Sequence, residues 1–255
     1  MSPAGPVRLL QLSDTHLFAD PDKRQAGVNV RDRFDRTLAA MKPWAAHAHG
    51  LLHTGDLVHD ESAAGYDDLA AQLATLGLPG RVIPGNHDDP RQMARAFAGP
   101  LITTGRSLVV RDWTVIMLNT QIPGAVPGAL AEGELAALDE ALEALTTDHV
   151  IVAMHHPPIP VGTPWLDAIA LQRPAALQAR IEAESRIRAV LVGHIHHPVD
   201  RPWCGARVIS APSTAADFCP GAADFTRGEA PPGFRWLDLG PGGEIDTGVV
   251  WATHG

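Results

Sequence analysis

The chain has 255 residues, of which 45% are hydrophobic and 19% are charged, and this composition is typical of a folded globular protein rather than a disordered one. Its formal net charge of −9 opposes non-specific binding to nucleic acids, which requires lysine and arginine to neutralise phosphates, so no nucleic acid polymer is expected as a partner. No apolar run could span a bilayer and residues 1–6 lack the basic start of a signal peptide, which predicts a cytoplasmic protein with no membrane partner.

The length fits one large α/β domain covering residues 1–255. Cys204 and Cys219 lie outside any C-x-x-C unit and are expected to be free thiols. In chain order, short apolar runs predict strands at 7–12, at the run beginning with Leu51, and at 81–83, 150–154 and 189–192. A hairpin is expected at 108–110 and 114–118, and the β-rich final part predicts strands at 207–210, 234–239 and 244–251.

Helical spacing of apolar residues alternates with these strands. Helices are expected from the N-cap Asn29 to about residue 47, over 66–76, from Asp89, over 135–145, and from Pro174 onward. The segments 17–28, 121–128, 157–173 and 212–233 are expected to be loops, and they would set the specificity of any site beside them. We find no internal repeat.

Five of the predicted strands end in polar residues that can bind metal ions. These residues are Asp14 and His16, then Asp56, then Asn86 and His87, then His155 and His156, and finally His194, His196 and His197. Any one of them alone would more commonly be a turn residue or a hydrogen-bonded core histidine. Because the carboxyl ends of parallel strands lie on one edge of a sheet, we expect the side chains to converge, and five coincidences favour a metal site.

The donor atoms are carboxylate or amide oxygens and imidazole nitrogens, with no thiolate, which suits manganese, iron, zinc or cobalt. The number of candidate ligands exceeds the capacity of one ion and therefore predicts two divalent metal ions, with Asp56 as the bridge. Two such ions, the carboxylates of Asp14 and Asp56 and a bridging hydroxide would leave a local positive charge. That hydroxide could attack a phosphodiester in line.

The remaining histidines do not share this pattern. His47, His49, His149 and His254 are expected to be solvated or structural, and His53 to be a core residue. His59, His156 and His197 lie near the predicted site without a required role. Spacing alone leaves the choice between His155 and His156 as a ligand open.

The blocks Asp14-Thr15-His16, Gly55-Asp56, Gly85-Asn86-His87-Asp88, His155-His156-Pro157 and Gly193-His194-Ile195-His196 occur in this order along the chain. In these blocks the chain resembles calcineurin-like metallophosphoesterases, and it is most similar to the group of class III cyclic nucleotide phosphodiesterases and glycerophosphodiesterases. The resemblance implies an α/β fold, a two-sheet β-sandwich flanked by helices. It also implies a homodimer.

The resemblance further implies the roles of individual residues. One metal ion would be held by Asp14, His16, Asp56 and His196, and the other by Asp56, Asn86, His155 and His194. His87 would contact the phosphate and assist the leaving group, so that His87, Asp56 and Asn86 form the expected catalytic set.

The leading hypothesis is therefore a dinuclear metal-dependent phosphodiesterase for small phosphodiesters, with 3′,5′- or 2′,3′-cyclic AMP as expected substrates. A glycerophosphodiesterase or a broad phosphomonoesterase is the alternative, because the same metal ions serve these reactions. A catalytically inactive interaction module is the alternative of a different class. We expect such a module to have lost at least one ligand, and this sequence keeps the whole set.

Overall fold

The fold was obtained as a computed structural model that describes residues 5–253. The predictions for residues 1–4 of the N-terminal stretch and for His254 lie outside this range. Sixteen strands are described: β1 (Val7–Leu12), β2 (Arg24–Gln25), β3 (Val28–Asn29), β4 (Gly50–His53), β5 (Gly80–Val82), β6 (Ile102–Thr103), β7 (Ser107–Val110), β8 (Trp113–Met117), β9 (Gly128–Ala129), β10 (His149–Ala153), β11 (Leu171–Gln172), β12 (Ile187–Val192), β13 (Asp200–Trp203), β14 (Ala206–Ser210), β15 (Gly233–Leu239) and β16 (Ile245–Trp251). The helices are α1 (Val30–Ala45), α2 (Ala63–Ala74), α3 (Pro90–Ala96), α4 (Glu132–Glu143), α5 (Pro164–Asp167) and α6 (Ala175–Ala183).

Two six-stranded sheets form the centre of the fold. The first has the order β16-β15-β1-β4-β5-β6 and the second has the order β13-β14-β12-β10-β8-β7. Four neighbouring strands in each sheet run parallel, namely β1, β4, β5 and β6 in the first and β8, β10, β12 and β14 in the second. The other strands pair antiparallel at the edges, where β15 lies against β1 and β13 lies against β14.

Successive side chains of a strand point to opposite faces of its sheet, and both sets are apolar here, which explains why the sheets are covered on both faces. In β1, Leu9 belongs to the core between the two sheets, whereas Leu10 packs toward α1 and α2. In β10, Ile151 faces the same inner core and Val150 faces α4 and α6. The expected two-sheet β-sandwich flanked by helices is confirmed, with apolar cores between the sheets and beneath each helical layer.

The predicted helix starts agree with the observed caps. The Asn29 side chain caps α1 by accepting the backbone N–H of Asp32 at 2.9 Å, and Asp89 caps α3 by accepting that of Arg91 at 2.8 Å. Pro174 is the N-cap of α6 rather than its first residue. Helix α1 ends at Ala45, two residues before the predicted end.

Three predicted loops contain short regular elements. The segment 17–28 holds β2 and the start of β3, which pair with each other, and the segment 157–173 holds α5 and β11. Residue 128 begins β9, which pairs with β11. Elements of two to four residues carry too few side chains for hydrophobic periodicity to reveal them.

The five strands that end in predicted ligands are divided between the sheets: β1, β4 and β5 belong to the first, and β10 and β12 to the second. Their ends therefore converge only because the two sheets meet at their carboxyl edges. A buried amide joins them there, since Gln11 Nε2 donates to Thr54 Oγ1 at 3.1 Å and to the Val192 carbonyl of the other sheet at 3.0 Å. Gly193 lies at the same seam, where a Cβ would collide with Ser13 Oγ.

Both cysteines are free thiols, as expected. None of the helices within residues 5–253 combines the length and apolar character needed to cross a membrane.

Candidate metal centre

All the predicted ligands lie at the seam of the two sheets. Asp14 and His16 follow β1, Asp56 follows β4, and His155, His194 and His196 follow β10 and β12; every one of these side chains is buried. Asn86 and His87, which follow β5, are half-buried. The sequence pattern therefore brings its candidates together although they span more than 180 positions of the chain.

The turns that carry these residues have an unusual backbone. Five of the predicted ligands adopt positive φ, namely Asp14 (55°), His16 (44°), Asp56 (55°), His194 (71°) and His196 (58°). This left-handed region disfavours residues with a Cβ, and each such residue costs on the order of 1–3 kcal/mol. Backbone hydrogen bonds from the amides of Asp14 and His16 to the carbonyls of Gly55 and Asp56, both 3.0 Å, hold two of the turns together. Strain concentrated on polar residues is typical of a functional site.

Asp56 lies at the centre of the cluster. Its Oδ1 accepts the backbone N–H of His87 at 2.9 Å, which fixes the carboxylate. Its Oδ2 lies 3.4 Å from His16 Nε2 and 3.4 Å from His155 Nε2, so a single oxygen contacts one histidine of each predicted ligand set. Gly85 leaves room for this carboxylate, because a Cβ at that position would overlap Asp56 Oδ1.

The first predicted ligand set has the arrangement of a cation site. Ligand atoms of Asp14, His16, Asp56 and His196 all lie within 4.8 Å of one another. His16 Nε2 and His196 Nε2 are 3.1 Å apart, and Asp14 Oδ1 is 3.5 Å from His196 Nε2. His196 donates its other ring nitrogen to the Ala216 carbonyl, which leaves the lone pair of Nε2 directed at this cluster. Two lone pairs this close repel each other unless a proton or a metal cation lies between them.

The second predicted set also fits a metal ion. His155 Nε2 lies 3.3 Å from Asn86 Oδ1. His194 Nε2 is buried and has no hydrogen-bond partner among residues 5–253. A buried imidazole nitrogen without a partner is unfavourable unless something absent from the protein chain satisfies it, and a metal ion is a suitable partner.

Hydrogen bonds favour His155 over its neighbour as a ligand. His155 Nδ1 donates to the Thr54 carbonyl at 2.7 Å and so leaves Nε2 available. His156 has both ring nitrogens engaged, because Nε2 donates to the Val126 carbonyl at 2.9 Å and Nδ1 lies 2.8 Å from Thr120 Oγ1. Such a ring has no free lone pair for a metal ion.

Burial keeps most of the predicted histidine ligands neutral. It lowers the pKa of His16 and of His194 well below the ordinary value, and it lowers the pKa of His196 to about 3. Metal ions bind the neutral imidazole. These three rings are therefore in the protonation state that coordination requires.

Asp56 and His155 form a charge pair in the same cluster. Burial by itself would raise the pKa of Asp56, but the charge on His155 holds that pKa well below its ordinary value. Burial would lower the pKa of His155, yet the charge of Asp56 raises it to about 9. Burial raises the pKa of Asp14 to about 7 although the charge of His155 opposes this. A divalent cation would take the place of the proton on His155 and favour both carboxylates as anions.

Sequence reasoning gave Asp88 no role, and the structure shows that its carboxylate faces the backbone rather than the cluster. It accepts the backbone N–H groups of Leu57, Val58 and Gly85 at 2.9–3.1 Å and the hydroxyl of Tyr66 at 2.9 Å. These bonds tie the turn after β4 to the turn after β5. Asp88 therefore sets the position of Asp56 relative to Asn86.

His59 was also left without a role. Its Nδ1 lies 3.1 Å from His16 Nδ1, and its ring stacks on His87 with centroids 4.7 Å apart. A His16 ring that offers Nε2 to a cation carries its proton on Nδ1, and His59 is placed to accept that proton in a hydrogen bond. Burial and the charge of His87 lower the pKa of His59, which favours this neutral acceptor form.

We expect His59→Ala to weaken metal binding by roughly 10- to 100-fold, since loss of a hydrogen-bond partner of a ligand typically has this effect. Metal titration of the apoprotein, followed by calorimetry, measures it. His47→Ala is the matched control, because His47 is exposed beyond the end of α1. An affinity equal to that of the wild type would show that His59 does not support His16.

Comparison with known proteins relates this chain to one family of phosphoesterases. The family model of calcineurin-like phosphoesterases matches residues 7–198. The chain is 35% identical over 243 residues to the 3′,5′-cyclic adenosine monophosphate phosphodiesterase CpdA of Pseudomonas aeruginosa, a match that covers 95% of this chain and 89% of that protein. It is 33% identical over 244 residues to the enzyme of the same name from Escherichia coli K12, with the same coverage.

The fold also resembles solved structures. A dimetal phosphatase from Danio rerio superposes with a TM-score of 0.70 at 13% identity, covering 98% of this chain and all of that one. At this low identity the likeness concerns the fold alone.

Proposed function

The chain belongs to the calcineurin-like phosphoesterase family and is a metal-dependent phosphodiesterase, and we propose that it hydrolyses small cyclic nucleotides at a centre of two divalent metal ions. The observation that carries this proposal is the position of Asp56 Oδ2, 3.4 Å from one histidine of each ligand set. A single oxygen placed between two sets of ligands is the arrangement that a bridging carboxylate requires.

We propose that the two ions occupy the ligand sets described above, Asp14, His16, Asp56 and His196 for one, and Asp56, Asn86, His155 and His194 for the other. Bound there, manganese, iron, zinc or cobalt would supply Lewis acidity, which lowers the pKa of an attacking water and neutralises charge on phosphoryl oxygens. The oxygen and imidazole donors accept all four metals, and availability would decide among them.

Two side chains from the turn after β5 reach a cavity of about 120 Å³ that lies next to the ligand cluster. Asn86 and His87 are half-buried and line this cavity. The backbone N–H of His87 is already engaged with Asp56, which holds the turn in place, and its ring stacks on His59. We propose that the His87 ring contacts a phosphoryl oxygen and assists departure of the leaving group, while Asn86 orients the phosphate through its amide.

The choice of cyclic nucleotides as substrates is supported by the relatives from Pseudomonas aeruginosa and Escherichia coli, whose names state that activity and which match nearly the whole chain. It is tested by a panel of 3′,5′-cyclic AMP, 2′,3′-cyclic AMP, a glycerophosphodiester and a phosphomonoester at a fixed manganese concentration. We expect kcat/KM for a cyclic nucleotide to exceed that for the other two classes by at least about tenfold, which corresponds to about 1.4 kcal/mol.

Asn86→Ala is expected to lower the turnover of the preferred diester by about 10²- to 10³-fold, the usual effect of removing one polar group that stabilises a transition state. Asn119→Ala is the matched control, since Asn119 is also half-buried but lies outside the ligand cluster. A panel in which the monoester is the best substrate would favour the phosphomonoesterase alternative. No turnover of any diester with manganese, iron or zinc would contradict the proposal.

A further inference from the structure

The cavity next to the metal centre has two chemically different halves. It has a volume of about 120 Å³, and one half is formed by predicted ligands and by Asn86 and His87. The other half is apolar and consists of Val126, Trp165, Leu166, Ile169 and Phe218, with Gln25 beside them. The metal centre accounts for the first half, and the second half has no part in binding metal or phosphate.

Two aromatic rings, those of Trp165 and Phe218, line the apolar half, and Phe218 contacts a metal-ligand candidate. The Phe218 ring stacks on His196, with centroids 3.7 Å apart and an interplanar angle of 10°. The Trp165 and Phe218 rings pack edge to face with centroids 5.1 Å apart. Phe225 is the third ring of this group, and its centroid lies 5.7 Å from that of Trp165. Phe225 is 56% exposed, so the aromatic surface continues from the buried cluster to solvent. Rings arranged in this way provide faces and edges on which a planar group can stack.

Two polar atoms in the wall of this half lack partners. The indole Nε1–H of Trp165 and the amide Oε1 of Gln25 are buried, and neither has a hydrogen-bond partner among residues 5–253. One is a donor and the other is an acceptor. Buried groups of this kind are unfavourable when unpaired, so they favour a bound molecule that offers the complementary pair.

We propose that Trp165, Phe218, Phe225 and Gln25 form a subsite for the nucleobase of the substrate. This inference rests on the proposed function and adds to it the part of the molecule that recognises the heterocycle. A purine has a π face that can stack on the aromatic group, and its edge carries an acceptor nitrogen or oxygen next to an N–H donor. Trp165 Nε1–H would donate to that acceptor, and Gln25 Oε1 would accept from that donor.

The same features argue against a glycerophosphodiester as the molecule that fills this half. A glycerol group has no π face, so it could cover the aromatic rings only with its hydrated carbon chain and could not stack on them. Both unpaired atoms are buried, so pairing with a base requires a side-chain movement in this wall of the cavity. The subsite would therefore distinguish substrates by the group that is esterified to the phosphate, whereas the metal centre would bind the phosphate of each substrate in the same way.

Isothermal titration calorimetry of the manganese-loaded protein with two separate probes tests this subsite. Adenosine carries the base without the phosphate, and inorganic phosphate carries the charge without the base. We expect Trp165→Leu, which removes the N–H donor together with a ring that packs on Phe218 and Phe225, to weaken adenosine binding by roughly 5- to 150-fold, equivalent to about 1–3 kcal/mol. Trp165→Phe keeps a ring but loses the N–H, and Gln25→Leu loses the acceptor; each is expected to weaken adenosine binding by roughly 2- to 10-fold.

Phosphate binding serves as the internal control. Its Kd should stay within about twofold of the wild-type value in all three variants, because a change of this size corresponds to less free energy than one neutral hydrogen bond contributes. Trp251→Leu is the matched control for loss of a tryptophan, because Trp251 ends β16 and does not line the cavity. The proposal is overturned if wild-type protein binds phosphate but not adenosine, or if Trp165→Leu changes both affinities equally. Failure of the proposed function is seen separately, as the absence of diester turnover in the substrate panel.

Discussion

Asp56→Ala protein will bind less than one metal ion per chain after loading, and its hydrolysis of diesters will fall by at least about 10³-fold. The reason is that Asp56 Oδ2 contacts both His16 and His155, so removal of this carboxylate takes a ligand from each set at once. It also removes the acceptor of the His87 backbone N–H, which loosens the turn that carries Asn86 and His87.

Elemental analysis after gel filtration measures the metal content, and the same samples are assayed for turnover. Asn86→Ala protein should retain one ion, because Asn86 belongs to one set only. Asp139→Asn is the control for loss of a carboxylate elsewhere, since Asp139 pairs with Arg180 at the surface. If the Asp56 variant keeps one of two ions, the bridge has been assigned to the wrong residue.

Asp88→Ala will lower the free energy of unfolding by about 3–5 kcal/mol, as expected when several buried donors lose a shared acceptor at a cost of about 1–3 kcal/mol each. The substitution leaves three backbone N–H groups and the Tyr66 hydroxyl without their acceptor inside the fold. Urea unfolding of the apoprotein measures the change without a contribution from metal binding.

Tyr66→Phe is a graded comparison for Asp88→Ala. It removes one of the four donors to Asp88 and also the acceptor of the Asp89 backbone N–H, so a loss of about 1–2 kcal/mol is expected. An Asp88→Ala protein as stable as the Tyr66→Phe protein would mean that the backbone N–H groups find water or other acceptors, and that Asp88 does not hold the two turns together.

The local parts of this molecule were predictable from sequence. Strand β1 was predicted with its observed bounds, and the caps at Asn29 and Asp89 were predicted from the chemistry of their side chains. Apolar runs that end in carboxylates or imidazoles pointed to the candidate site because such residues rarely follow so many buried strands by chance. These features were predictable because the alternation of side chains along a strand and the capping of a helix each depend on only a few neighbouring residues.

The distribution of strands between the sheets could not be derived in this way. Strand β15 pairs with β1 across more than 220 positions, as in the register of Val7 with Leu239, and no local pattern encodes that pairing. The two sheets were expected only from the family resemblance. The convergence of the ligands depends on this long-range packing.

The directions in which individual side chains point also could not be predicted from the sequence. Asp88 and Asp56 both lie in turns that follow strands, yet the carboxylate of one faces backbone amides and that of the other faces histidines. His155 and His156 are adjacent, and their roles differ because the Thr54 carbonyl accepts from one ring while Thr120 and Val126 engage both nitrogens of the other. These partners lie 30 or more positions away in sequence, so spacing could not reveal them.

The seam between the sheets has a consequence beyond catalysis. His16 and His196 are 180 positions apart and belong to opposite sheets, so an ion held by both is a reversible cross-link between the two halves of the chain. Unfolding that separates the sheets must release this ion, and each tenfold rise in free metal concentration above the dissociation constant then stabilises the fold by about 1.4 kcal/mol. The supply of metal would thus govern how long the chain stays folded as well as how fast it turns over its substrate.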